Sequence, residues 1–193
     1  ALVATLKQAV AAANVLTDPA DCLPYGYDNS KQLAVPDVVV FATTTAQVQA
    51  VVKACYDATI PLTVRGRGTN TTGASVPVQG GVVLSLERMN HILAVRPDDR
   101  LLIAQPGVTN GAVQAAAAQH GFFWPPDPTS SAYASIGGNV ACNSAGPRAV
   151  KYGTTRDNVL GLTAVTGTGE LIRCGSYTTK GVVGYDLTRL LIG

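Results

Sequence analysis

Two stretches of this chain concentrate residues that can bind an anion or admit a close neighbour. The first, "TVRGRGTNTTGAS" at 63–75, holds three glycines, two arginines, five hydroxyl residues and no acid. The second, "SIGGNVACNSAGPRAVKYG" at 135–153, has the same character. Glycine permits positive φ and close backbone approach, so clustered glycines let several N–H groups converge on one anion. Thr69, Thr71, Thr72 and Ser75 add hydroxyl donors without adding charge. No Asp or Glu falls between Asp57 and Glu87, or between Asp127 and Asp157. The second gap says little, because the run from Asp99 to Asp127 is also free of acids without being glycine-rich. Composition alone leaves two readings of the first loop open, a flexible surface turn or an anion cradle.

Neither common nucleotide motif matches. A Walker loop needs GxxxxGK[ST], and residues 63–75 contain no lysine. A dinucleotide fingerprint needs GxGxxG opening a helix; here Gly66, Gly68 and Gly73 are spaced GxGxxxxG, with Thr/Asn-rich sequence where the helix should begin. In the second loop, Ile136-Gly137-Gly138-Asn139 leads into the small-residue helical turn "VACNSAG", Asn143 offers an amide donor and acceptor, and Lys151, Tyr152 and Gly153 close the segment. Two such loops suit a long ligand held at both ends better than a single phosphate.

The elements that position these loops follow from periodicity. Residues 2–16 form the first helix, followed by a Pro/Gly/Asp-rich connection at 18–31. "PDVVVFAT" (36–43) is a buried strand, Thr44 or Thr45 caps a helix with Val48, Val51, Val52 and Cys55 on one face, and "IPLTVRG" (60–66) is a strand running into the first loop. This β-α-β unit delivers the loop from its second strand. "GVVLSL" (81–86), "ILAVRP" (92–97) and "LLIAQPGV" (101–108) are short strands, with a hairpin turn at "PDD" (97–99). "TNGAVQAAAAQHG" (109–121) is a helix stopped by Gly121, and the prolines of "FFWPPDPTSS" exclude a regular element. "VLGLTAVTGTGELIRCG" (159–175) is a hairpin, and Asp186 caps a helix in "GYDLTRLLIG". The result is an α+β fold with two lobes, about 1–86 and 87–193, each carrying one glycine-rich loop. The chain stops as its last helix ends, which suggests a fragment of something longer.

Composition narrows the class. A net charge of +2 and the lack of a Lys/Arg tract give no case for nucleic acid. Cys22, Cys55, Cys142 and Cys174 form no CxxC pair, and His91 and His120 are not spaced with them as zinc ligands, so no metal site is expected. Cys55 lies in an apolar helical pattern, and free thiols in a reducing cytoplasm are the default. No stretch approaches the roughly 20 apolar residues of a membrane span, and "ALVATLKQAVAAANVL" reads as an amphipathic helix and not a leader. The expected location is cytoplasmic, with peripheral membrane association left open.

The motifs "PLTVRGRGTNTTG", "PPDPTSS", "SIGGNVACNSAGPRAVKYG" and "GYDLTRLLIG", in this order, resemble the FAD-binding domain of the vanillyl-alcohol-oxidase-type (PCMH-type) flavoproteins. Within that family the resemblance is to D-lactate dehydrogenases, D-2-hydroxyglutarate dehydrogenases and glycolate oxidase flavoprotein subunits, over about residues 20–193. It implies two α/β subdomains enclosing FAD. Gly66, Gly68, Thr69, Asn70 and Gly73, with Arg67 through its backbone, then wrap the FAD diphosphate. Pro126 and Asp127 pass near the flavin, and Ser135, Gly137, Gly138, Asn143, Gly146 and Gly153 complete the carry-over. A valine at Gly68 should block backbone approach to the diphosphate and abolish FAD retention without unfolding the domain.

Members of the family that attach flavin covalently place a histidine where this chain has Thr69, and Cys142 is not at the position of the second attachment, so non-covalent FAD is expected. The resemblance implies hydride transfer from a 2-hydroxy acid to flavin N5, then electron transfer to a quinone or carrier protein. The substrate base belongs to a C-terminal domain of such enzymes, so no catalytic residue is assigned. Arg65, Arg148, Lys151 and Arg156 are read as solvated or ion-paired, Trp124 and Tyr152 as packing residues, and His91 and His120 as surface residues. A homodimer or a complex subunit fits the family. A non-catalytic flavin-binding subunit and a nucleotide-phosphate binder unrelated to flavin stay open as alternatives.

Overall fold

The computed structural model describes residues 1–182 and 184–193. These form two compact units, Ala1–Met89 with Val165–Leu171, and Asn90–Ala164 with Ile172–Gly193. Among the described residues no helix is long and apolar enough to cross a membrane.

The first unit is built on a valine-rich sheet. Helix α1 (Leu2–Val10) buries Leu6 and Val10. The run 2–16 was expected to be one helix, but it breaks at Ala11, whose φ is +70°. A 3-10 turn, Ala12–Asn14, follows, and Val15–Leu16 becomes strand β1. The physical reason is local: the Asn14 side-chain amide donates to the Val10 carbonyl at 2.6 Å, satisfying the last turn and competing with further helix. A short helix α2 (Pro19–Cys22), capped by Asp18, leads towards strand β2 (Val38–Phe41).

Strand β2 explains the two-sided core. Successive side chains alternate between faces. Val38, Val40 and Ala42 pack with Leu6, Val10, Val51, Val52 and Cys55 on one side. Val39 and Phe41 pack with Cys22 and Val83 on the other. Each fully buried valine contributes about 1.5–3 kcal/mol. Helix α3 (Thr45–Asp57) starts at Thr44, whose hydroxyl accepts from Gln47 N, while Gln47 Oε1 accepts from Thr43 N at 2.8 Å.

Strands β3 (Leu62–Arg65) and β4 (Val82–Ser85) complete the sheet in the order β1-β2-β4-β3. Strand β1 is antiparallel to β2, and β4 runs parallel to both β2 and β3. The β-α-β unit is present, and its two strands are not neighbours: β4 lies between them and pairs Val82–Ser85 on both sides. Residues 66–81, which connect β3 to β4, contain neither helix nor strand. The first glycine-rich loop is thus the crossover of a parallel pair, a task usually given to a helix.

In the second unit, β5 (Ile92–Arg96) and β6 (Leu101–Ala104) form an antiparallel ladder with an irregularity between Ile92 and Ala94. Helix α4 (Asn110–Ala118) is capped by Thr109 and ends before Gly121 at φ +74°. After an irregular stretch come α5 (Ile136–Cys142), α6 (Ala149–Tyr152), α7 (Thr155–Asn158), strands β7 (Gly161–Val165) and β8 (Leu171–Gly175), and α8 (Leu187–Leu191) capped by Asp186.

Candidate functional site

The 66–73 loop leaves β3 at Arg65, and its amides are the feature of interest. Among the described residues, the backbone N–H groups of Gly66 through Thr71 donate to no protein acceptor. The carbonyls are treated differently. Asn29 N donates to Asn70 O at 3.0 Å, and Asn29 Nδ2 donates to Thr69 O at 3.2 Å. Two of the loop's carbonyls are tied down, and its amides are left as a run of donors. That donor set suits a diphosphate, whose oxygens only accept hydrogen bonds.

Beneath the loop lies a buried polar network. Arg65, 7% exposed, donates through Nη1 to Tyr27 O at 2.7 Å and to Ser75 Oγ at 3.4 Å, and through Nη2 to Pro24 O at 3.3 Å. Ser75 Oγ donates to Asp28 Oδ2 at 3.2 Å and accepts from Asn70 Nδ2 at 2.8 Å. Asn70 Oδ1 in turn accepts from Thr72 N and Thr72 Oγ1. Burial pulls the Arg65 guanidinium below its usual range, opposed by the charges of Asp28 and Glu87. Burial pushes the Asp28 carboxyl up, but hydrogen bonds from Ser30 and Ser75 outweigh it and hold it below the ordinary value. Arg65 is therefore neither solvated nor in a simple ion pair, which corrects the sequence reading.

Gly68 carries a steric constraint beyond the one expected. Its φ is +65°, and a Cβ there would lie 2.1 Å from Arg65 Nη2 and 2.5 Å from Cζ. The forbidden space is on the protein's side of the loop. Gly73, at φ +78°, lies against the Gln32 side chain. Arg67 is half exposed, 3.8 Å from Glu87 Oε2.

In the second unit, Ser135 is the N-cap of α5, and its Oγ accepts from Gly138 N at 3.3 Å. Gly137 and Gly138 are thus the first turn of a helix, where the sequence reading had them in a loop before one. Gly137 is required by packing: a Cβ would meet Pro106 Cβ at 2.7 Å, and its N–H bonds Pro106 O. Asn143 ends α5 in the left-handed region, φ +45°, and its Oδ1 accepts from Arg156 N at 2.9 Å. The two ends of α5 are about 11 Å apart at 1.5 Å per residue, so a ligand touching both Ser135 and Asn143 must be elongated.

Gly146 meets the 125–129 segment: a Cβ on it would lie 2.2 Å from Asp127 Oδ1 and 2.3 Å from Asp127 O. Asp127 also accepts from Arg148 N at 3.2 Å and pairs with Arg148 Nε at 3.4 Å. Gly153 packs on Asp157, which accepts from Thr154 N and Oγ1 in a capping box. Arg156 donates to the Ile192 and Gly193 carbonyls, and its buried Nε has no partner among the described residues. Lys151 and Tyr152 are exposed, with Tyr152 edge-on to Phe123. His91 and His120 are exposed, as expected.

Pro126 is fixed by a residue that motif reading did not single out. Asn110, 4% exposed, donates to Pro126 O at 3.3 Å and accepts from Trp124 Nε1 and Asn139 Nδ2, both at 2.8 Å. Asn139 is fully buried, and its Oδ1 has no partner among the described residues. Asn110, Gln114, Pro126, Asp127 and Arg148 help line a cavity of about 220 Å³ in this unit. The signal that could have found Asn110 is its place beside the Thr109 cap, where a buried polar residue opens an otherwise alanine-rich helix.

The architecture is that of the PCMH-type FAD-binding fold. A substrate-bound p-cresol methylhydroxylase superposes with a TM-score of 0.77 at 28% identity, covering 90% of this chain and 35% of that one. Alkyldihydroxyacetonephosphate synthase gives a TM-score of 0.86 at 21% identity, covering 100% of this chain and 37% of that one, a likeness of fold alone. Residues 36–175 match the FAD binding domain family model, and the chain belongs to that family. It is 41% identical over 172 residues to glycolate oxidase subunit GlcD of Bacillus subtilis (strain 168), covering 89% of this chain and 37% of that protein. It is 37% identical over 194 residues to D-2-hydroxyglutarate dehydrogenase of Stutzerimonas stutzeri (strain A1501), covering 100% and 42%. The D-lactate dehydrogenase of Anaerostipes hadrus is 43% identical over 158 residues, covering 82% and 33%. The chain thus spans about two-fifths or less of the length of these relatives.

Proposed function

We propose that this chain is the FAD-holding portion of an oxidoreductase that oxidises a 2-hydroxy acid of the glycolate, D-lactate or D-2-hydroxyglutarate type. The carrying observation is the run of amides from Gly66 to Thr71 that are unpaired among the described residues, with the carbonyls of Thr69 and Asn70 held by Asn29. The names of the related glycolate oxidase subunit, D-lactate dehydrogenase and D-2-hydroxyglutarate dehydrogenase support the substrate class.

FAD, when bound, supplies the hydride acceptor for the hydroxyl-bearing carbon. The protein's part is binding and orientation. The amides of Gly66, Arg67, Gly68, Thr69 and Asn70 would hold the diphosphate as fixed dipoles that need no reorganisation. Gly73 lets the loop turn back towards β4. In the second unit Pro126, Asp127, Ser135, Gly137, Gly138, Asn143, Gly146 and Gly153 are proposed as further FAD contacts on the strength of the motif resemblance. Attachment is proposed to be non-covalent, with Thr69 in place of a nucleophilic histidine. No residue of this chain is assigned to the proton step.

The test is direct. The purified chain, titrated with FAD, should quench flavin fluorescence and show the oxidised-flavin spectrum, with ADP competing. Acid precipitation should leave the flavin in the supernatant. A chain that takes up no FAD at tens of micromolar refutes the assignment.

A further inference from the structure

Arg65 has no role in the proposed site so far, yet it is buried and firmly held beside it. Its guanidinium makes three hydrogen bonds, to Tyr27 O, Ser75 Oγ and Pro24 O. The same group fills the space that a Cβ on Gly68 would need. Its charge is opposed locally, because Asp28, only 6% exposed, is one hydroxyl away through Ser75. A cation so compensated projects little positive field towards a ligand. What remains is shape: a rigid planar fork that ties the 24–28 segment to Ser75 and fixes the underside of Gly68.

We infer that Arg65 is a positioning residue for the diphosphate: its buried guanidinium, together with Ser75 and Asp28, holds the 66–71 amides in their donor arrangement. This rests on the FAD reading above and deepens it. Loss of the fork frees the Gly68 turn, and the amides must then be ordered at the expense of binding free energy. Lysine cannot substitute, because a single ammonium on a flexible stem cannot reproduce bonds made from two separate guanidinium nitrogens to three acceptors.

The experiment measures FAD, ADP and riboflavin dissociation constants for a small set of variants whose folding is checked by circular dichroism. Arg65→Met should weaken FAD and ADP at least tenfold and leave riboflavin, which has no diphosphate, within twofold. Arg65→Lys should fail to restore FAD binding. Arg65→Met/Asp28→Asn, which removes both charges, should remain as weak as Arg65→Met; recovery of native affinity would mean that charge balance, not the fork, matters, and would overturn the inference. Ser75→Ala, a milder change, should weaken FAD severalfold and covers the case in which Arg65→Met does not fold. A thermodynamic cycle adds an independent arm: Gly68→Ala should weaken FAD tenfold or more beside Arg65, but less than threefold in an Arg65→Ala background. FAD affinity within twofold of native for both Arg65→Met and Ser75→Ala would overturn the inference while leaving the FAD site standing. A native chain without FAD affinity would instead overturn the site itself.

Discussion

Replacing Asn110 with alanine is the sharpest test of how the second unit holds the Pro126 segment. The substitution removes one acceptor used twice and one donor. Trp124 Nε1 and Asn139 Nδ2 each lose a 2.8 Å partner, and Pro126 O loses its 3.3 Å donor. An orphaned buried polar group costs about 1–3 kcal/mol. Asn139 is fully buried and already has an unpartnered Oδ1, so it takes the upper part of that range. Trp124 is partly exposed and reaches water more easily, so it takes the lower part. The expected loss is about 3 kcal/mol. With a urea m-value of about 2 kcal/mol per molar, the midpoint falls by about 1.5 M. Trp124 is the single tryptophan of the chain, so its emission reports on the site under study. Circular dichroism supplies the second probe. Trp124→Phe removes the indole donor, and the double variant should then be less destabilised than the sum of the singles by about 1 kcal/mol, since no indole is left orphaned. A midpoint shift under 0.3 M (about 0.5 kcal/mol) for Asn110→Ala would show that this network does not support the segment.

Three further outcomes are expected. Gly146→Ala places a methyl into Asp127 at a backbone φ of +144°, so it should destabilise the second unit by about 3 kcal/mol in the same urea assay. Asp28 is held below the ordinary carboxylate value, so its contribution to stability is complete above about pH 4 and is lost as pH falls through the lower folded value; Asp28→Asn should flatten the acid limb of a melting-temperature profile. Burial raises the Cys55 thiol to about 11 and also raises Cys22, both 1% exposed, whereas Cys142 is exposed; a thiol reagent at pH 8 should react first with Cys142, and Cys142→Ser should remove that fast phase.

Much of the fold was legible because short-range signals agree. The valines of β2, the Thr44 cap and the one-sided spacing of Val48, Val51, Val52 and Cys55 place a strand and a helix without any distant partner. The family and its cofactor were legible from motif order. The mechanics of the loop were not. Asn29 holds carbonyls about 40 residues away, and Asp28 meets Ser75 at a separation of 47. Neither belongs to a recognisable spacing. The insertion of β4 beside β3 is likewise a pairing choice that valine-rich strands permit but do not specify. A second constraint on Gly68 was hidden for the same reason, since a Cβ there would also meet a side chain three residues back that only the fold turns beneath it.

Strands β3 and β4 point the same way side by side, so the backbone has to make a return trip of about 13 Å before the second can begin. In this protein that trip is made by the loop proposed to hold the coenzyme diphosphate. On that proposal its length is set twice, once by the dinucleotide it would embrace and once by the distance it must retrace. Shortening the loop would pull β4 out of line with both of its neighbours, and on the proposed reading slippage of β4 would register first as a loss of yellow colour.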